Sequence, residues 1–210
     1  MIWVIDDFMP NFAAYKEWAS RLKYENKESQ GITYKDVLIS PNIELTKSLI
    51  ESALSKRLVT QLAFLRKYID HQPHVHPAWI HSDVRFGGLA TTLFIRPSHS
   101  WQDDGMTFWE HKFLGRGLRP QDPPEVCIQA DRDTLNVQGN FTPYLTVPFK
   151  ENRMVVFDAC LFHSKQTYSN RGDKDSCRLI EVGFFAETPF DIPKVTEVVI
   201  TEDNSDGEHE

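Results

Sequence analysis

Apolar residues recur along this chain in two rhythms, and the change from one to the other falls near Arg57. Before it, Phe12, Tyr15, Trp18 and Leu22 repeat at helical spacing after the acidic pair Asp6-Asp7. Pro41-Asn42 opens a second stripe, with Leu45, Leu49, Ala53 and Leu54 on one side and Glu44, Lys47 and Glu51 nearer the other. Both stripes predict amphipathic helices that cover a sheet, and Ile2 to Ile5 predicts a short strand ahead of them. From Leu58 to Ile69 the spacing of Leu62, Phe64 and Leu65 suits a helix end or a strand, and strand is the preferred reading. Beyond Asp70 the texture is of short apolar or alternating runs separated by Pro, Gly, Asn and Asp. The predicted strands are Ala78–His81, Leu89–Ile95, Met106–Lys112, Tyr144–Val147, Met154–Phe157, Arg178–Ala186 and Val195–Ile200.

Helices first and many short strands afterwards predict a mainly β fold with flanking N-terminal helices, a sandwich or jelly roll. The length of 210 residues, with 40% hydrophobic and 12% aromatic content, fits one domain with a sizeable core. The expected limits are a single domain over 1–200, its helical part at about 8–57 and its β core at about 58–200. Residues 201–210 carry five acids and no Lys or Arg, which predicts a solvated, disordered tail. The stretch from Gly115 to Thr142 holds Pro120, Pro123, Pro124, Gly139 and many charges, including Arg116, Arg119 and Arg132. It reads as an inserted loop, a candidate lid or substrate-contacting segment.

Charge and cysteine content narrow the function. A formal charge of −7 disfavours a general grip on a nucleic-acid backbone. Cys127, Cys160 and Cys177 are odd in number and lack C-x-x-C spacing, so neither a disulfide framework nor a thiolate zinc site is indicated. With no basic-then-apolar leader pattern and no span near 20 apolar residues, the expectation is a cytoplasmic protein without a membrane segment.

The chemistry gathers at His81-Ser82-Asp83. Two residues apart in an extended segment, His81 and Asp83 point to one side and reach one ion. A single H-x-D tripeptide is weak evidence alone. A second half follows in order: His163, after the apolar run Met154-Val155-Val156-Phe157, and then Arg178 at the head of Arg178-Leu179-Ile180-Glu181-Val182-Gly183-Phe184-Phe185. Two imidazoles and one carboxylate on one face of a metal leave positions open for a cosubstrate and O2. Arg178 shares a strand face with Ile180, Val182 and Phe184. Facing inward, its guanidinium needs an anion, which a dicarboxylate supplies through a bidentate pair. The bland alternative is a surface arginine paired with Glu181 or an acidic loop residue.

In this order the motifs resemble the Fe(II)/2-oxoglutarate-dependent dioxygenase superfamily, particularly its prolyl-4-hydroxylase-like branch, over about Pro73 to Ala186. Leu89-Ala90-Thr91-Thr92-Leu93-Phe94-Ile95 is similar to the strand after H-x-D. Gly105-Met106-Thr107-Phe108-Trp109 is similar to the "G-G-x-x-F" strand, and Asn152-Arg153-Met154-Val155-Val156-Phe157-Asp158 to the strand that delivers the distal histidine. The resemblance implies a double-stranded β-helix whose metal and catalytic residues are His81, Asp83 and His163. It further implies Fe(II) as cofactor, with 2-oxoglutarate and O2 as cosubstrates. Arg178 would grip the far carboxylate of 2-oxoglutarate. The activity implied is hydroxylation of a peptide, amino acid or small metabolite with release of succinate and CO2.

Two departures stand out. The gap from His163 to Arg178 is long, and its loop carries Arg171 as a rival clamp; the strand position favours Arg178. Relatives often place a tyrosine after H-x-D to touch 2-oxoglutarate, whereas this chain has Thr91, Thr92 and Phe94, so that contact is absent or falls to a threonine hydroxyl, Thr92 being the candidate. His74-Val75-His76 is similar to a cupin H-x-H without the following glutamate, which keeps a non-catalytic jelly-roll metal- or ligand-binding protein as the alternative. His111 is a candidate for the pocket mouth. Trp79, Trp101, Phe108, Trp109 and Phe113 line an entrance or, as strand aromatics more often do, fill the core.

Overall fold

The computed structural model describes residues 1–29, 32–68, 80–97, 104–127, 130, 139–166 and 175–188. The helices that pack on its main sheet are α1 (Phe12–Arg21) and α2 (Ile43–Leu54). The strands are β1 (Ile2–Ile5), β2 (Glu25–Ser29), β3 (Ile32–Ile39), β4 (Val59–Tyr68), β5 (Leu89–Arg96), β6 (Gly105–His111), β7 (Phe141–Pro148), β8 (Arg153–Asp158), β9 (His163–Lys165) and β10 (Arg178–Ala186). All pairings are antiparallel. A large sheet runs β1-β8-β5-β10-β4-β3-β2, and a small one runs β7-β6-β9.

The large sheet is apolar on both faces, which explains why its central strands lack a clean polar alternation. On one face Leu93, Met154, Val156 and Leu179 meet the helices through Tyr15, Ala19 and Ile50. On the other, Phe94, Val155, Phe157, Ile180 and Phe184 meet Met106 and Phe108 of the small sheet. A third cluster, with Leu118, Phe141 and Phe162, lies behind the small sheet. The mainly β expectation and both helix stripes match this architecture.

Strands are not confined to the chain after Arg57. β2 and β3 form a hairpin between the helices, and β1 pairs with β8 from the middle of the sequence. The run Glu25-Asn26-Lys27 shows no apolar alternation, as suits the outermost strand of a sheet, where charge blocks further pairing. The expected loop at 115–142 is also partly built in. β7 begins at Phe141, residues 124–127 are helical, and Leu118 and Ala130 are buried in the third cluster. The expected strand Val195–Ile200, the acidic tail and the first two residues of Ala78–His81 lie outside the described residues. Among the described residues no helix is long and apolar enough to cross a membrane.

Candidate metal centre

His81 and His163 face each other as a bridged antiparallel pair. The N–H of His81 donates to the carbonyl of His163 at 3.0 Å, and the N–H of His163 donates back at 2.9 Å. This puts their rings 4.4 Å apart between centroids. Ser82 ties the same segment to the end of β8, its Oγ donating to the carbonyls of Ala159 or Cys160 at 3.2 and 3.0 Å. The N–H of Asp83 donates to Ala159 O at 2.8 Å. Asp83 then leaves the extended conformation (φ −98°, ψ 16°) and opens a 3₁₀ turn over Val84–Phe86. The spacing of two predicts an extended 81–83, whereas the turn at Asp83 brings its carboxylate within reach of both imidazoles.

Oδ2 of Asp83 lies 3.2 Å from Nε2 of His163, and Oδ1 lies 3.8 Å from Nε2 of His81. The ligand atoms of the three residues all fall within 4.8 Å of one another. Nδ1 of His163 is 2.9 Å from the carbonyl of Leu161. A carbonyl only accepts, so this nitrogen carries the proton, and in the neutral ring the lone pair on Nε2 points toward Asp83. Two acceptors facing each other at that distance require a cation or a proton between them, and a divalent metal meets this need. Where a second proton on each imidazole takes the place of the metal, burial works to raise the pKa of Asp83, but the charge of His81 and the hydrogen bond from His163 outweigh it and hold the pKa below the usual carboxylate value. His163 is wedged by Phe157, ring centroids 4.7 Å apart, and by Phe108 at 6.3 Å. The His81 side chain is 40% exposed against 6% for His163, so one side of the donor set opens outward.

Arg178 is buried on the face of β10 between the sheets, 2% exposed. Its partner is not Glu181, which lies on the opposite face and accepts from Tyr15, Ser40 and Thr46. Instead Nε sits 2.9 Å from Oδ1 of the buried Asp104. The N–H is not aligned on that oxygen, so the contact is a close ion pair rather than a directed hydrogen bond. Nη2 donates to the carbonyl of Gly105 at 3.3 Å.

Thr92 is buried on the same face of β5 as Ala90 and Phe94, opposite Val182 of β10. The hydroxyl of Thr91 is used elsewhere, donating to the carbonyl of Gly183 at 3.2 Å. Tyr68 of β4 lies directly across from Arg178, whose Cζ is 5.3 Å from its ring centroid. A tyrosine therefore does stand beside the arginine, delivered by a strand whose pairing the sequence does not announce.

His111 is not at a pocket mouth. It is 1% exposed, and its Nδ1 accepts from the backbone N–H groups of Phe113 and Leu114, which fixes a turn. Phe108 is core, Trp109 packs on the third cluster and donates to Ser164, and Phe113 is 74% exposed. Arg171, Arg132, Trp79, Trp101 and His74-Val75-His76 lie outside the described residues. An apolar cleft of about 290 Å³ lined by Met9, Ala14, Trp18 and Leu45 opens on the helix side of the large sheet, away from the metal residues.

No family model matches the chain, and no curated protein matches it. Solved structures do match. The epimerase SnoN from nogalamycin biosynthesis, in complex with Fe3+, alpha ketoglutarate and nogalamycin RO, is 13% identical with a TM-score of 0.57, covering 88% of this chain and 78% of that one. HygX from Streptomyces hygroscopicus, with nickel and 2-oxoglutarate bound, is 8% identical with a TM-score of 0.53, covering 88% of this chain and 81% of that one. AviO1 from Streptomyces viridochromogenes is 15% identical with a TM-score of 0.52 and coverages of 88% and 89%. At these identities the likeness shows the fold, a jelly roll of the double-stranded β-helix kind.

Proposed function

We propose that this chain is an Fe(II)- and 2-oxoglutarate-dependent oxygenase that hydroxylates a peptide, amino acid or small metabolite and releases succinate and CO2. The observation that carries this reading is the convergence of His81, Asp83 and His163 into one compact donor set, with one side open. That set suits a divalent ion with vacant positions, and Fe(II) is the member of that group that works with 2-oxoglutarate and O2. The likeness in fold to proteins described with iron or nickel and 2-oxoglutarate supports the same choice. The motif order resembling the prolyl-4-hydroxylase-like branch favours a peptide or amino-acid substrate.

Bound here, Fe(II) with 2-oxoglutarate supplies O2 activation coupled to loss of CO2. The protein does the rest by position. Leu161 orients the ring of His163, Phe157 and Phe108 keep water from its inner side, and Asp83 contributes a carboxylate already ionised. Arg178, with Thr92 on the same inner wall, receives the far carboxylate of 2-oxoglutarate.

One observation favours a second reading. Asp104 already gives Arg178 an anion, as a non-catalytic jelly-roll binding protein with a disused cosubstrate pocket would show. Anaerobic titration of the apoprotein with Fe(II) and then 2-oxoglutarate separates the two, because the weak visible charge-transfer band requires the keto acid on the metal. The oxygenase reading expects the band in the wild type, its loss in His163→Ala, and a much higher 2-oxoglutarate requirement in Arg178→Ala. A folded wild type without the band at saturating ligand establishes the binding-protein reading instead.

A further inference from the structure

The small-sheet wall of the metal centre carries an ion pair that neither the metal nor the cosubstrate uses. On β6 the side chains of Trp109 and His111 point back to the third cluster, while Phe108 points forward to His163, its register partner on β9. Glu110 therefore leaves the same front face as Phe108, about 7 Å further along the strand. There its Oε1 lies 3.9 Å from Nε of Arg116, an ion pair too long for a hydrogen bond. The Arg116 guanidinium stacks on Tyr144, with Cζ 4.4 Å from the ring centroid, and the Tyr144 ring lies 6.4 Å from that of Phe108.

Backbone contacts fix Arg116 beside the metal residues. Its carbonyl accepts from the N–H of Phe162 at 2.9 Å, and the N–H of Leu118 donates to the carbonyl of Cys160 at 2.9 Å. Residues 116–118 are thus strapped to the segment that runs directly into His163. Gly117 permits this approach, since a Cβ there would stand 2.1 Å from the carbonyl oxygen of Cys160. The two charged side chains remain accessible, Arg116 60% exposed and Glu110 50%.

An accessible pair at this separation contributes little to stability, so a ligand that takes over its contacts displaces little. Arg116, held flat by Tyr144, offers its terminal nitrogens to a carboxylate in a bidentate fork. Glu110 keeps its second oxygen for a cationic donor. A free amino acid carries an ammonium and a carboxylate on one carbon and gains both contacts. A peptide terminus gains one, and an internal peptide residue gains none.

Resting on the oxygenase reading, we propose that Arg116 and Glu110 are the substrate-reading pair and that the substrate is a free amino acid. Arg116 takes its carboxylate and Glu110 its ammonium. Its side chain runs back along β6 over Phe108, which brings the far end of that side chain, not the α-carbon, to the metal.

The test is calorimetric titration of protein loaded with Mn(II) and 2-oxoglutarate, which binds without turning over. The probes are the genetically encoded amino acids, and then the N-acetyl and amide forms of any that binds. At least one amino acid should bind, and blocking either end should weaken it by about tenfold or more, the value of one charge-assisted hydrogen bond. Arg116→Gln should weaken the free amino acid by about as much and leave the amide form unchanged, while Glu110→Gln should do so and leave the N-acetyl form unchanged. Neither variant should alter the affinity for Mn(II) or 2-oxoglutarate. The inference is overturned if no amino acid binds the loaded protein, if the blocked forms bind as tightly as the free one, or if either variant binds the amino acid like the wild type. In each of these cases the oxygenase reading stands, because 2-oxoglutarate still binds. If the wild type takes up no 2-oxoglutarate with Mn(II), that reading fails and the inference falls with it.

Discussion

Gly105 is the single residue on which the arginine's surroundings turn. Its N–H donates to Oδ1 of Asp104 at 2.7 Å, and its carbonyl accepts from Arg178 Nη2 and, at 3.0 Å, from the N–H of Gln166. It does this at φ +152°, and a Cβ there would stand 2.4 Å from the carbonyl oxygen of Val147. Both facts exclude a side chain, because the conformation is one L-residues rarely adopt and the neighbouring atom is backbone. Gly105→Ala should lose about 2 kcal/mol or more of stability in urea denaturation. It should also raise the 2-oxoglutarate requirement through a displaced Arg178, and a variant as stable as the wild type would show that β6 relaxes freely at this point. That His81, Asp83 and His163 gather and that Arg178 faces inward was legible in the order of the motifs and the alternation along β10, although the turn that aims Asp83 was not. Asp104 and Tyr68 were not legible, since their place beside Arg178 depends on β10 pairing with β4 and on how the chain enters β6, which no local pattern specifies.

At the scale of an element, β10 shows how alternation sorts opposite charges onto opposite faces. Arg178 faces the small sheet, while Glu181, 2% exposed, faces the helices. Glu181 accepts hydroxyl hydrogen bonds from Tyr15 of α1, Ser40 just after β3 at 3.0 Å and Thr46 of α2 at 2.6 Å. Burial first, and then the negative charge of Glu181, push the Tyr15 hydroxyl's pKa up, so it stays protonated and donates. One carboxylate thus joins both helices and two strands of the large sheet. Glu181→Ala leaves three hydroxyls facing an empty space and should cost roughly 3 kcal/mol, read from denaturant midpoints at constant slope. A loss below about 1 kcal/mol would mean that water replaces the carboxylate and that the hub is dispensable. The helix stripes and the limits of β10 follow from apolar spacing alone, but a hub made of Tyr, Ser, Thr and Glu leaves no periodic trace. The β2–β3 hairpin hides for the same reason: a polar edge strand is written in residues that also write a loop.

Across the whole molecule, the donor set stands at the seam between the two sheets. His81 and Asp83 precede β5 of the large sheet, and His163 begins β9 of the small one. Backbone hydrogen bonds between His81 and His163 close this seam, so the backbone itself holds the two imidazoles side by side. The net charge of −7 gave no hint of the cations gathered near Tyr68, namely Arg66, Lys165 and Arg178, because a local cluster disappears in the total. A metal that binds the folded seam and not the unfolded chain must stabilise the entire domain by mass action. At a hundredfold excess over its dissociation constant the gain is about 2.7 kcal/mol, which for a chain of this size raises the melting temperature by roughly 5 to 10 °C. Thermal melts with and without Mn(II) should show that rise, a chelator should reverse it, and Asp83→Ala should abolish it while changing the metal-free melt little. A rise of equal size in Asp83→Ala would place the metal elsewhere and remove the ground on which the oxygenase reading stands.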